Sequence, residues 1–167
     1  MSMIRVKKLQ ENAILPTYGS EEAAGADLYA CLDEAVTVAP GETVWIPTGL
    51  AMEIPKGCAG LVYARSGLAC KKGLAPANKV GVIDSDYRGP ITVVLHNHGK
   101  DPQIISHGER IAQMIITPVL TPAYEVVEEL TDTGRDTSTA LPGKPLSHSR
   151  LQKPRAPLWR HAVQVKP

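Results

Sequence analysis

The 167-residue chain contains no phenylalanine, and aromatic residues make up only 4% of it. Its three cysteines, Cys31, Cys58 and Cys70, are odd in number and include no C-x-x-C pair. A disulfide scaffold is therefore not expected, and we interpret the thiols as reduced in a cytoplasmic protein. No apolar run approaches the ~20 residues that a membrane-spanning helix needs. The N-terminus also lacks the apolar core of a signal peptide.

Charge is distributed unevenly along the chain, although the net charge is only +1. Residues 1–134 hold 11 Lys and Arg against 16 Asp and Glu, whereas residues 135–167 hold seven basic residues against Asp136. An acidic body therefore precedes a basic tail. The hydrophobic content of 43% is ordinary for a globular protein with a core. We predict a single domain over residues 1–131 and a mobile, Pro-containing arm over 132–167.

Short apolar segments alternate with turns rich in Pro and Gly throughout the predicted domain. Segments of this length and spacing are typical of an all-β sandwich or a jelly roll. No long segment has a 3.6-residue period, so a long helix is not predicted. The best helix candidate is one or two turns after Ser66, through Leu68 to Lys71. The predicted strands are Val36–Val38, Val44–Ile46, Leu50–Ile54, Leu61–Tyr63, Val80–Ile83, Ile91–Leu95, Ile104–Ile105, Met114–Pro118 and Tyr124–Val127.

The stretch 78–89 combines two carboxylates and a tyrosine with an apolar strand. Residues 80–83 favour a half-buried strand, and residues 86–89 favour a turn that ends in glycine. A hairpin of this kind would leave Asn78 and Asp84 at the edge of a rigid β surface, where they suit a polar reader and a general base. An ordinary surface hairpin, whose aspartates only end a strand, explains the same residues equally well.

Three further segments hold polar residues that suit a phosphorylated ligand. Arg65, Ser66 and Gly67 open the predicted helix, where backbone N–H groups, a hydroxyl and a guanidinium would bind an anion. A plain helix cap with a surface arginine is an equal alternative. Asp27 could orient metal-bound water, although a structural turn is the commoner reason for such a pentapeptide. Gln113 offers its amide to a phosphate oxygen, or is simply solvated.

His96 and His98 flank one residue of a predicted turn and could bind a transition metal through two imidazoles. No third ligand is in view, and zinc sites use three or four. We therefore interpret His96 and His98 as polar residues of a turn.

Taken together and in order, four motifs resemble the homotrimeric dUTPase (deoxyuridine 5′-triphosphate nucleotidohydrolase) family. The resemblance covers most of residues 4–130, and it implies a distorted β jelly roll that forms a cytoplasmic homotrimer with active sites at subunit interfaces. It also implies Mg²⁺-dependent hydrolysis of dUTP to dUMP and pyrophosphate, which keeps uracil out of DNA and supplies dUMP for thymidylate synthesis. The matching motifs are AGADL at 24–28, ARSGLACKKG at 64–73, GVIDSDYRG within 78–89, and GERIAQM at 108–114.

The resemblance implies a role for each matched residue. Asp84 would activate the water that attacks the α-phosphorus, and Tyr87 would pack beneath the deoxyribose and leave no room for a 2′-hydroxyl. Asn78 would read the polar edge of uracil, and Asp27 would orient Mg²⁺-bound water. The residues that would line the pocket are Gly81, Val82 and Ile83, and those that would hold the triphosphate are Arg65, Ser66, Gly67 and Gln113.

The C-terminal sequence departs from the family pattern. Members usually end in a Gly-rich arm whose arginine holds the γ-phosphate and whose phenylalanine stacks on uracil. Arg135 could begin such an arm, but residues 136–141 replace the glycines and no phenylalanine follows. Three explanations stay open: another ring closes the site, the tail is unrelated sequence that leaves the enzyme lidless, or the basic tail contacts nucleic acid or a partner.

Two alternative functions fit the same residues. A dCTP deaminase resembles this chain in fold and phosphate site but places a glutamate near the base, where this chain has Asn78 and Asp84. A nucleotide-binding or regulatory homologue with weak catalysis is the other alternative, and the altered C-terminus is its only support. Membrane binding is not expected, and nucleic-acid binding would depend on the basic tail alone.

Overall fold

The structure is a computed structural model that describes residues 3–133 of the chain. Residues up to Ala123 form one compact unit. Within the described residues the fold is all β except for one short helix, α1, at Ser66–Lys72. The strands are β1 Arg5–Lys8, β2 Thr17–Tyr18, β3 Ala26–Tyr29, β4 Val36–Val38, β5 Thr43–Glu53, β6 Cys58–Tyr63, β7 Leu74–Pro76, β8 Gly81–Ile83, β9 Ile91–Asn97, β10 Gln103–Ile105 and β11 Arg110–Pro118.

Two antiparallel sheets form the body of the fold. One has the strand order β1-β5-β9-β7, the other has the order β2-β3-β11-β6-β8, and β10 pairs with β4 as a separate ribbon. Buried side chains of both large sheets belong to one hydrophobic core, so the sheets pack together as the predicted jelly-roll-like β fold. The largest fully buried aliphatic side chains are Leu28, Ile46, Leu50, Leu74, Leu95, Ile105 and Ile111.

The strand β9 shows how the sequence produces this core. Its seven residues alternate between buried and half-buried positions, because successive side chains of a strand point to opposite faces. Ile91, Val93 and Leu95 point inward. The half-buried residues between them, Thr92 and Val94, lie on the face where the candidate site forms.

The two strands predicted at residues 44–46 and 50–54 are one long strand, β5, with an irregular middle. Its pairing with β9 shifts register between Pro47 and Leu50, where proline has no N–H to donate to the ladder. Thr48 is fully buried in this irregular segment, and its hydroxyl donates to the carbonyl oxygen of Ile91 at 2.7 Å. The side chain therefore supplies a link between β5 and β9 where regular pairing is interrupted.

The prediction of a hairpin at residues 78–89 is wrong, because β8 does not pair with β9, the next strand along the chain. β8 pairs with β6 of the five-stranded sheet, whereas β7 pairs with β9 of the four-stranded sheet. The segment between β7 and β8 therefore crosses from one sheet to the other, and residues 84–90 lead back to β9. Local turn chemistry could not reveal this, because the partner of each strand is chosen by contacts distant in sequence.

Two further expectations differ from the structure. Tyr124–Val127 is not a strand, and residues 119–133 contain no helix or strand. The segment 24–28, which a simple turn would have explained, instead leads into β3, where Ala26, Asp27 and Leu28 are all buried. A strand buried on both faces has no polar alternation to reveal it.

The predicted helix forms as α1 and ends at Gly73. This glycine has a φ of 67° and its N–H donates to the carbonyl of Ala69, a common way for a helix to stop. All three cysteines are free, with Cys31 buried and Cys70 exposed. In residues 3–133 we find no helix that is both long enough and apolar enough to cross a membrane.

Candidate active site

A cavity of about 410 Å³ brings together all the residues predicted at the 78–89 stretch. It lies between the crossing segment, the loop after β8, and the half-buried face of β9. Trp45 of β5 and Val94 of β9 add apolar surface to its wall. The predicted residues that line it are Asn78, Gly81, Val82, Ile83, Asp84 and Tyr87.

Asp84 follows β8 directly and is exposed to solvent in this cavity. Its backbone carbonyl accepts the N–H of Tyr87 at 3.2 Å, which fixes the start of the following turn. Its carboxylate makes no hydrogen bond or ion pair with any residue in 3–133. A carboxylate with free oxygens on a fixed backbone can accept a proton from a water molecule in the cavity.

Tyr87 is held over the turn that follows Asp84. Its hydroxyl donates to the carbonyl of Pro90 at 3.0 Å. Its ring covers Gly89 so closely that a Cβ there would lie 2.5 Å from the tyrosine oxygen. Arg88 closes the same turn, because its Nη1 donates to the carbonyls of Ser85 at 2.8 Å and of Tyr87 at 2.9 Å. The turn therefore presents the tyrosine ring in one orientation.

The crossing segment folds tightly around Asn78. Lys79 has a φ of 65°, which is uncommon for a non-glycine residue, and the N–H of Val80 donates to the carbonyl of Asn78 at 2.7 Å. A Cβ on Gly81 would lie 3.4 Å from Asn78 Nδ2 and 3.3 Å from Val62 Cβ. Glycine at this position therefore leaves room for the Asn78 amide beside the first residue of β8.

Two of the predicted phosphate ligands line a second, basic cavity of about 270 Å³. Arg65 and Gly67 line it, and Ser66, the first residue of α1, is exposed between them. Lys71, Lys72 and Arg110 add positive charge to the same cavity. Within the described chain, Arg65 and Gly67 thus line a different cavity from the residues predicted to bind the base.

Asp27 connects three of the sequence motifs. It is only 7% exposed, and its Oδ1 accepts the Nε–H of Arg65 at 2.6 Å while its Oδ2 accepts Nη1–H of Arg110 at 3.3 Å. The sequence reasoning missed Arg110, although it lies inside the GERIAQM motif. Its spacing of three residues from Gln113 would place the two side chains on opposite faces of a regular strand.

The side chain of Gln113 packs against Gly25, where the absence of a Cβ leaves room for it. Its Nε2 donates to the carbonyl of Ala64 at 2.9 Å, and a Cβ on Gly25 would lie 2.9 Å from its Oε1. The backbone of Gln113 pairs with that of Asp27 on one side and Tyr63 on the other. An amide nitrogen carries two hydrogens, so one remains for a ligand.

His96 and His98 contact each other and a neighbouring hydroxyl. Their rings meet edge to face with centroids 4.4 Å apart, and His96 Nδ1 lies 2.9 Å from Thr43 Oγ1. Desolvation, followed by the nearby charges of His96 and Lys79, lowers the pKa of His98. Residues 3–133 contain no group of three or more His, Cys, Asp or Glu able to hold a metal ion.

Comparison with known proteins identifies the family. Residues 11–140 match the family model described as dUTPase. A deoxyuridine 5′-triphosphate nucleotidohydrolase of Syntrophotalea carbinolica is 48% identical over 133 residues, which cover 80% of this chain and 90% of the relative. The corresponding protein of Desulfitobacterium hafniense is 52% identical over 122 residues, covering 72% and 81%. The chain therefore belongs to the dUTPase family.

Solved structures of the same family resemble the fold. The dUTPase from phage phi11 of S. aureus superposes with a TM-score of 0.71 at 28% identity, covering 77% of this chain and 98% of the phage protein. A variant of that phage enzyme, described for its coordination of a structural Mg(II) ion, gives a TM-score of 0.70 at 28% identity, with 77% and 98% coverage. The match to the family model reaches residue 140 and so includes Arg135, which lies outside the described residues together with the rest of the tail from 134 onward.

Proposed function

We propose that this protein hydrolyses dUTP to dUMP and pyrophosphate, with Asp84 as the general base that activates the attacking water. The observation that supports this most directly is the exposed carboxylate of Asp84, which has no partner among residues 3–133 and lies in a cavity shared with Asn78 and Tyr87. Membership of the dUTPase family supplies the substrate. The family match favours dUTP hydrolysis over the deamination of dCTP.

Base and sugar selection follow from the walls of this cavity. Asn78 has amide donor and acceptor atoms that complement the polar edge of uracil. Gly81 has no side chain beside that amide, where a Cβ would lie 3.4 Å from Asn78 Nδ2, so the amide stays accessible to the base. The ring of Tyr87, held by the carbonyl of Pro90, forms the surface beneath the deoxyribose. A 2′-hydroxyl buried against that ring would lose its hydrogen bonds to water, which costs about 1–3 kcal/mol.

The triphosphate is held by the second group of residues. Arg65 uses one N–H for Asp27 and keeps the others for phosphate oxygens. Ser66, Gly67 and Gln113 add a hydroxyl, an unobstructed backbone and an amide. Because Arg65 and Gly67 line a different cavity of the chain from Asp84, a site completed between subunits of a homotrimer is the arrangement we propose. The residue Arg135 would add a guanidinium to the γ-phosphate.

The residues of this site suit Mg²⁺ even though they do not surround it with direct protein ligands. Mg²⁺ commonly keeps several waters and binds substrate phosphates with few protein ligands. Both oxygens of Asp27 already accept a hydrogen bond, yet a carboxylate has about four lone-pair sites. Asp27 can therefore also accept a hydrogen bond from a metal-bound water. When bound, the cation neutralises charge on the phosphate oxygens.

The chemistry demands positioning more than covalent help from the protein. In phosphoryl transfer the nucleophile, the phosphorus and the leaving oxygen must be aligned, and negative charge must be stabilised. Asp84 takes a proton from the attacking water, and the basic residues stabilise the departing pyrophosphate. General-base assistance by one such carboxylate contributes about 10²–10⁴-fold to the rate.

The free thiols of the three cysteines are consistent with a reducing compartment, and we propose that the protein is cytoplasmic.

The test is a comparison of Asp84→Asn with Asp86→Asn, a matched change at an exposed carboxylate two residues away in the same turn. Asp84→Asn should lower kcat by about 10²–10⁴-fold while the affinity for a non-hydrolysable imido analogue of dUTP stays close to that of the wild type. Asp86→Asn should leave both near the wild-type values. Normal turnover by Asp84→Asn would show that another group is the base.

Incubation of the wild-type protein with dUTP and with dCTP separates the proposal from its main alternative. Pyrophosphate released from dUTP is the expected product. Ammonia released from dCTP, without pyrophosphate from dUTP, would instead identify a deaminase. Tight binding of the imido analogue without turnover of either nucleotide would indicate a regulatory homologue.

A further inference from the structure

Arg110 is a charged residue of the basic cavity that none of the motif roles uses. Its side chain is 53% exposed and lines the cavity next to Arg65. Its Nη1 donates to Asp27 at 3.3 Å. Because a guanidinium carries five N–H donors, this bond leaves most of them available.

A bulge in β11 brings Arg110 to Asp27. Paired residues of antiparallel strands share a face, and Gln113 pairs with Asp27. In a regular strand Arg110, at an odd spacing from Gln113, would point to the opposite face. The register instead shifts between Arg110 and Ala112, so that Arg110 pairs with Tyr29, which shares a face with Asp27. Bulges often re-aim a side chain beside an active site in this way.

The cavity carries an excess of positive charge. Its cationic lining residues are Arg65, Lys71, Lys72 and Arg110. Among the described lining residues, Glu109 is the one carboxylate, and it pairs with Lys72 at 2.5 Å. Asp27, buried beside the cavity, is shared by the two arginines. Four cations against two carboxylates leave a surplus that suits a ligand with at least two negative charges.

We propose that Arg110 is a second phosphate-binding arginine of this site and holds the pyrophosphate portion of the nucleoside triphosphate beside Arg65. The inference rests on the proposed function, because it assigns a role within the same triphosphate site. Asp27 anchors both guanidinium groups, one on each carboxylate oxygen, and thereby fixes their spacing. Arginine suits this task because its planar fork can bind phosphate oxygens in pairs.

The experiment compares the full-length wild-type chain with Arg110→Gln and with a matched control, Arg5→Gln. Arg5, on β1, forms an exposed ion pair with Glu53 of β5, outside this cavity. Calorimetry measures the Kd for pyrophosphate and for dUMP, which lacks the terminal phosphates, and steady-state kinetics give KM and kcat for dUTP. We expect Arg110→Gln to weaken pyrophosphate binding by about 10-fold or more and to raise KM for dUTP. Its affinity for dUMP should stay within about twofold of the wild type, since the lost contacts are to the other phosphates.

Thermal unfolding separates binding from folding. An Arg110→Gln protein with unchanged affinity for pyrophosphate would show that Arg110 only pairs with Asp27, and the inference would be overturned. If Arg110→Gln does not fold, Arg110→Lys replaces it, since it keeps the charge but loses the fork; weaker pyrophosphate binding supports the inference and unchanged binding overturns it. If the wild type fails to hydrolyse dUTP yet loses pyrophosphate affinity on substitution of Arg110, the proposed function fails while the phosphate site stands.

Discussion

Replacement of Gly89 by alanine should loosen the choice between deoxyribose and ribose with almost no cost to folding. A Cβ at Gly89 would lie 2.5 Å from the Tyr87 oxygen, 2.6 Å from its Cζ and 3.0 Å from its Cε2. These distances are far shorter than ordinary contacts, so the ring must move. The atoms concerned belong to the end of a side chain that is 45% exposed, and so the ring can turn toward solvent.

The cost in stability can be worked out from the structure. Moving the ring breaks the hydrogen bond from Tyr87 to the carbonyl of Pro90, which is worth about 0.5–1.5 kcal/mol. Gly89 has no positive φ, and alanine in such a conformation restricts the unfolded chain and returns about 0.4–1 kcal/mol. The two effects nearly cancel. The Tm should therefore change by no more than about 4 °C.

The effect on specificity should be larger than the effect on stability. With the ring displaced, the surface beneath the sugar is lost, and a 2′-hydroxyl is no longer forced against it. The ratio of kcat/KM for dUTP to that for UTP should fall by at least about tenfold, or 1.4 kcal/mol of discrimination. Steady-state assays with both nucleotides measure this ratio directly.

Two controls make the result interpretable. Gly19→Ala adds the same methyl group where nothing lies within 4 Å and φ is not positive, so it should raise Tm by about 1–4 °C through the unfolded chain alone and leave selectivity unchanged. Tyr87→Phe removes the hydroxyl but keeps the ring, and so shows how much of the effect comes from the hydrogen bond alone. If Gly89→Ala discriminates against UTP as strongly as the wild type, the position of the Tyr87 ring does not select the sugar.

Two other predictions concern the phosphate site and the thiols. Gly25→Ala should push the Gln113 amide away from the carbonyl of Ala64, since the added Cβ would lie 2.9 Å from Gln113 Oε1. The KM for dUTP should rise roughly 2- to 10-fold, and an unchanged KM would argue against a phosphate role for Gln113. Burial, and after it the charge of Asp33, raises the pKa of the Cys31 thiol, so at neutral pH a thiol reagent should modify exposed Cys70 quickly and Cys31 only after unfolding. Equal labelling rates, followed by peptide mass spectrometry, would contradict the burial of Cys31.

The fold class could be read from the sequence because short strands and their turns are local features. Val36–Val38 forms as predicted, and the helix α1 begins at Ser66 as expected. The segment 24–28 illustrates the limit, because its strand is buried on both faces and shows no alternation. Tyr124–Val127 illustrates the opposite error, in which β-prone residues form no strand. The β-propensity of a segment alone does not decide whether it pairs with another strand.

For the candidate site, the four sequence motifs identified the candidate residues, and the order of the motifs along the chain supported the family resemblance. The cavity at Asn78, Asp84 and Tyr87 follows from that local sequence, since those side chains lie within one short stretch of chain. Only the tertiary structure decided that this stretch crosses between the two sheets, because strand pairing depends on contacts far apart in the chain. The structure alone also brought Arg110 to Asp27, through a bulge that changes which face of β11 a side chain occupies.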